Sequence, residues 1–105
     1  MNTILARFNI IAGKEAEAEE AMQKQAASVE STEPGALTYI FHRNRKDPSE
    51  ITVYEIYADD DATAAHRGTE HMATFSSYFG SLFDLRPSRS TASSASRAFR
   101  DNAAP

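Results

Sequence analysis

The chain has 105 residues, 41% of them hydrophobic and 25% charged, with a net charge of −4 and no cysteine. That length suits one domain with a thin core, so some of its apolar surface is left for a partner subunit to cover. The lack of cysteine excludes disulfides, thiolate nucleophiles, iron–sulfur clusters and cysteine-rich zinc sites, and no apolar run nears the roughly 20 residues of a membrane span. Met1 to Leu5 carries no signal-peptide pattern, so the expected setting is cytoplasmic, away from membranes. The charge is uneven. Arg86, Arg89, Arg97 and Arg100 face only Asp101 in the last stretch, which leaves the rest of the chain acidic. An acidic body argues against nucleic acid as a ligand.

Thr3 to Ile11 alternates with apolar residues on both faces, which predicts a strand covered on both sides. Ala12-Gly13 breaks it. Lys14 to Ser31 predicts a helix whose inner stripe is Ala18, Met22, Gln25 and Val29. Glu15, Glu17, Glu19 and Glu20 crowd its first turns, where the helix dipole favours negative charge. Thr32-Glu33-Pro34-Gly35 stops the helix, because proline cannot continue it and glycine permits a tight reversal. Ala36 to Arg43 and Ile51 to Tyr57 predict two strands rich in aromatic and β-branched residues. The short polar link between them predicts an antiparallel hairpin. Asp59 is placed to open a short helix, and Gly68-Thr69 interrupts it and caps the next one. Met72, Phe75, Phe79, Leu82 and Phe83 then form one helical stripe. From Arg86 onward the chain is rich in Ser, Ala and Arg, and a last strand is expected near Ser88 to Ser94.

The division is therefore a domain over 1–85 and a segment over 86–105. The order β-α-β-β-α, with a final β, is the ferredoxin-like split βαβ plan of the α+β class.

One set of residues carries a resemblance. Glu33-Pro34-Gly35-Ala36-Leu37-Thr38-Tyr39 is followed by Phe41-His42-Arg43, Asp47-Pro48, Val53-Tyr54-Glu55-Ile56-Tyr57, Ala65-His66-Arg67 and Thr69-Glu70-His71. In order and spacing this resembles the antibiotic biosynthesis monooxygenase domain family, over about half the chain. The resemblance implies a dimeric α+β barrel, a homodimer of two four-stranded sheets with a pocket in each subunit. It also implies oxidation of an electron-rich aromatic, such as a phenol, anthrone or hydroquinone, by O2 with no cofactor. The family carries Trp where this chain has Tyr57, and haem-degrading relatives have an Asn where Ala6 stands here, which weakens a haem-binding reading. A non-catalytic small-molecule-binding or stress-associated dimer is the alternative, and haem binding or degradation the third.

His66 and His71 are the candidate catalytic residues, because an imidazole with a free pKa of about 6.5 transfers protons near neutrality. The alternative for each is a packed or capping side chain. Their separation across a helix break predicts no shared metal, and no carboxylate is recognised to complete a site. Glu55 and Tyr57 share a strand face and are substrate-binding candidates, as are Tyr39, Phe75 and Phe79. Glu55, if buried, needs a partner, with Arg7 or Arg43 expected. Phe75 and Phe79 also read as core. The facings of Asn9, Tyr39 and His42 stay open.

Overall fold

A computed structural model describes residues 1–85. The elements run β1 (Asn2–Ile10), α1 (Glu15–Thr32), β2 (Ala36–Arg43), β3 (Glu50–Tyr57), α2 (Asp60–Arg67), α3 (Glu70–Ser76) and β4 (Phe83–Asp84). The four strands form one antiparallel sheet in the order β2-β3-β1-β4. This is the ferredoxin-like arrangement, with β3 inserted between the two strands that α1 connects. No helix among the described residues is long and apolar enough to cross a membrane.

Local chemistry explains the boundaries. Gly13 turns at φ +89°, and its amide donates to the Glu15 carboxylate, which closes the entry to α1. The inner stripe of α1 buries Ala18, Ala21, Met22, Gln25 and Val29. Asp59 accepts from the Ala62 amide and caps α2. Thr69 caps α3 by accepting from the Met72 amide, and its hydroxyl donates to the His66 carbonyl at 2.7 Å. One threonine thus joins the end of α2 to the start of α3.

The core lies between the sheet and α1, α3 and the turn after α3. Phe8 is its centre, with ring contacts to Phe41, Phe75, Phe79 and Phe83 at 4.9–6.5 Å between centroids. Burying aromatic rings of this size contributes about 1.5–3 kcal/mol each.

One expectation is corrected. The stripe from Met72 to Phe83 is not one helix. The helix α3 ends at Ser76, three-residue turn bonds follow, and Gly80 takes φ +100° before β4 begins at Phe83. Phe79 and Phe83 reach the core nonetheless, from a turn and a strand. The last strand among the described residues is Phe83–Asp84, and the strand expected near Ser88 to Ser94 lies outside them. In the single chain, and among the described residues, β1 is covered on one side. Leu5 is exposed opposite Tyr54, which is itself opposite exposed Ile40, so an apolar row crosses the open face of three strands.

Candidate functional site

The covered face of the sheet is graded. Phe8 and Ile51, then Ala6, Val53 and Phe41, form its apolar rows. Next comes Ile4–Glu55–Tyr39, and at the end Asn2–Tyr57–Ala36. The polar end lies under α2, which packs on β2 and β3. Placing it there demands close approach. A Cβ on Gly35 would stand 2.5 Å from the Cβ of Ala62, so only glycine lets the turn after α1 meet α2.

That turn delivers Glu33. Its carboxylate receives His66 Nδ1 at 3.0 and 3.1 Å and His71 Nε2 at 2.5 Å. An ionised carboxylate only accepts, so each imidazole turns a protonated nitrogen toward it. This fixes both rings. In the neutral tautomer of His71 that donates this bond, Nδ1 is the unprotonated nitrogen. The side chains of Glu33 and His66 are almost fully buried, and that of His71 is 19% exposed.

Glu55 accepts a hydrogen bond of 2.5 Å from the Tyr57 hydroxyl and lies 3.8 Å from His66 Nε2, beyond hydrogen-bond reach. The partner of Glu55 is thus a phenol and a nearby imidazole, not Arg7 or Arg43, both of which are exposed. Burial and then the bond to Glu55 push the Tyr57 hydroxyl well above the usual phenol range, so it stays a donor. Tyr39 is pushed up to about 12, chiefly by burial; its bond to Gln25 pulls the other way, and the charges of Glu55 and Glu33 add to the rise. Gln25, buried on α1, donates to the Tyr39 hydroxyl at 3.4 Å and to the Met72 sulfur at 3.5 Å.

Two clefts flank these groups. One of about 150 Å³ is lined by Gln25, Ser28, His71, Thr74, Phe75 and Tyr78. The other, about 410 Å³, opens between α1 and β2 at Met22, Ala26, Tyr39, Phe41 and Ile51. Of the expected site residues, His71 and Phe75 line the smaller cleft and Tyr39 the larger. His66, Glu55 and Tyr57 are buried in one cluster, with His66 5.2 Å from the Tyr57 ring and 5.4 Å from the Tyr39 ring. Phe79 belongs to the aromatic core. Asn9 is buried, Tyr39 faces inward and His42 is exposed.

The sequence reasoning missed Glu33 as a functional group. It stood in view in the Glu33-Pro34-Gly35 motif, yet its partners lie 33 and 38 residues further on. The expectation that no carboxylate joins the two histidines is overturned by its position between them.

The sequence profile described as antibiotic biosynthesis monooxygenase matches residues 1–78. The chain belongs to the antibiotic biosynthesis monooxygenase family. It is similar to the putative antibiotic biosynthesis monooxygenase of Caulobacter crescentus CB15, with 31% identity over 74% of each chain and a TM-score of 0.70. A protein from Pseudomonas aeruginosa is 28% identical, with 78% of this chain and 82% of that one covered and a TM-score of 0.70. A further putative family protein, from Bacteroides thetaiotaomicron VPI-5482, shares the fold at 23% identity, with 79% of each chain covered and a TM-score of 0.73. No curated protein matches the chain. In this family member, the aromatic two residues after Glu55 is Tyr57, and its hydroxyl gives Glu55 the hydrogen bond described above.

Proposed function

We propose that this antibiotic biosynthesis monooxygenase family member oxidises an electron-rich aromatic, such as an anthrone, phenol or hydroquinone, with O2 and without a cofactor. The observation that carries the reading is His71, which lines the smaller cleft while Glu33 holds its Nε2–H. A carboxylate that fixes one imidazole nitrogen sets the tautomer and stabilises the imidazolium that forms when the other takes a proton. Phe75 and Tyr78 supply an apolar wall for a flat ring.

For an anthrone the steps balance without a reductant. His71 Nδ1 removes a proton from the ring methylene, and the carbanion reduces and joins O2 to give a carbon-bound peroxide anion. The proton returns to this oxygen, and loss of water leaves the quinone carbonyl, so one oxygen atom enters the product and the other leaves as water. The protein contributes placement, desolvation and proton transfer.

The working unit in this reading is a homodimer. The row Leu5–Tyr54–Ile40 leaves a bare apolar face on a sheet whose other face is filled, and a second copy of that face covers it.

The test is oxygen uptake over a panel of anthrones and hydroquinones. His71→Ala is expected to lower the rate about 10²–10⁴-fold. Binding of these aromatics without uptake would instead favour a non-catalytic binding dimer. A Soret shift on haem titration would favour the haem reading.

A further inference from the structure

We propose that Glu33, His66 and His71 form a binding site for a divalent first-row transition ion of the imidazole-preferring kind, with zinc as its simplest occupant. The inference goes beyond the oxygenase reading and describes a second state of the same residues: an ion on His71 Nε2 leaves the ring proton on Nδ1, so the ion-loaded chain does not carry out the proton transfer proposed above.

The geometry is the first support. One ligand atom from each residue lies within 4.8 Å of the other two. One oxygen of Glu33, Oε2, is 3.1 Å from His66 Nδ1 and 2.5 Å from His71 Nε2. Ligands at about 2.0–2.2 Å from a shared zinc ion stand roughly 3–3.5 Å apart in a tetrahedral set. Admitting the ion requires the Glu33–His71 edge to open and all three ligand atoms, now within 4.8 Å of one another, to settle to that spacing. Two imidazoles and one carboxylate form a donor set that suits zinc, iron or nickel over calcium or magnesium.

Charge is the second support. Two buried carboxylates, Glu33 and Glu55, sit within 4 Å of His66. Among the described residues, no lysine or arginine forms an ion pair with either one. A divalent cation between Glu33 and the histidines supplies positive charge to this cluster.

The outer shell is the third. When Nδ1 of His66 binds an ion, Nε2 must carry the ring proton; the Glu55 oxygen lies 3.8 Å from it, a charge neighbour that would have to move closer to accept that proton's hydrogen bond. Glu55 is itself held by Tyr57. A carboxylate behind a ligating imidazole is the usual second layer of such sites, and it sets the tautomer and raises ligand basicity. In the ion-free neutral state, with Nδ1–H turned to Glu33, the bare Nε2 instead confronts another acceptor.

The coordination is also incomplete in a useful direction. Three protein ligands leave a fourth position, and His71 borders the smaller cleft. Structural zinc sites close all four positions with protein groups, whereas sites that bind a small molecule keep one open.

The experiment uses the tag-free full chain, stripped with chelator and titrated with cobalt(II), with visible d–d bands and calorimetry as readouts. One cobalt per chain is expected, displaced by zinc. His71→Ala, at a partly exposed position, is expected to weaken binding at least tenfold, as is Glu33→Gln if circular dichroism shows it folded. Glu55→Gln should weaken it by removing the carboxylate charge behind His66. His42→Ala, on the open face, should change nothing. Absent cobalt bands and heat in the wild-type chain would overturn the proposal, and so would binding unaffected by His71→Ala or abolished by His42→Ala. Oxygen uptake of the stripped chain is measured separately, so either inference can fail alone.

Discussion

Glu33 and His71 meet across 38 residues of sequence at 2.5 Å, one at the end of α1 and the other in the first turn of α3. Neither helix positions the pair alone. Pro34 ends the α1 segment, Gly35 brings the turn against Ala62, and Thr69 ties α2 to α3.

Glu33→Gln should therefore destabilise the fold as well as slow the chemistry. The amide keeps one acceptor but turns a donor toward an imidazole N–H. Leaving a buried donor unsatisfied costs about 1–3 kcal/mol, and each kcal/mol lowers Tm by about 4–8 °C in a domain this size. Thermal unfolding followed by circular dichroism checks this. An unchanged Tm would mean that the carboxylate does not hold the histidines.

The turn itself can be tested without touching a charged group. A methyl added at Gly35 meets the Cβ of Ala62 at 2.5 Å, and neither atom can rotate away. Gly35→Ala should cost about 1–3 kcal/mol, the range for overpacking. Ala62→Gly removes the opposing methyl, so the double variant should be more stable than the sum of the two single costs allows. Additive urea-denaturation energies would refute the clash.

How much of this was legible in the sequence varied with distance along the chain. The stripe Ala18, Met22, Gln25, Val29 is a short-range pattern with a 3.6-residue period, and the fold keeps it. The Asp59 and Thr69 caps are equally local. Aromatic spacing misled after Ser76, because Phe79 and Phe83 continue a helical rhythm while Gly80 turns the backbone out of it. Charge logic assigned Glu55 an arginine, yet its neighbours are set by what α2 lays over the strand. Glu33 could not be read, because nothing local marks a side chain whose partners arrive two helices later. Alternation in β1 showed two apolar faces, but a sequence does not say whether the second cover comes from the same chain.

The buried phenols give a pH dependence with a definite sign. Tyr39 rises to about 12 in the folded chain, mainly through burial, against about 10 when unfolded. Between those values the folded state holds a proton that the unfolded state has lost. The stabilisation is complete below pH of about 10 and falls as pH climbs toward 12. Tyr57 shifts in the same direction. Urea denaturation across that window should show a shallower loss for Tyr39→Phe than for the wild-type chain. Equal slopes would show that Tyr39 ionises alike in both states.

The open face of the sheet supplies the last prediction. Leu5, Tyr54 and Ile40 stand side by side on β1, β3 and β2, and all three are exposed in the single chain. If two copies join there, each Leu5→Glu or Ile40→Glu change places charge in a dry interface twice over, since a two-fold contact repeats every residue. Leu5→Glu/Ile40→Glu should convert a dimer to a monomer in light scattering coupled to size exclusion. The Glu33–His66–His71 cluster lies on the covered side of the sheet, so the variant's fold should persist in far-ultraviolet circular dichroism. A wild-type chain that is monomeric at high concentration, or a variant that remains dimeric, would rule out this face as the contact.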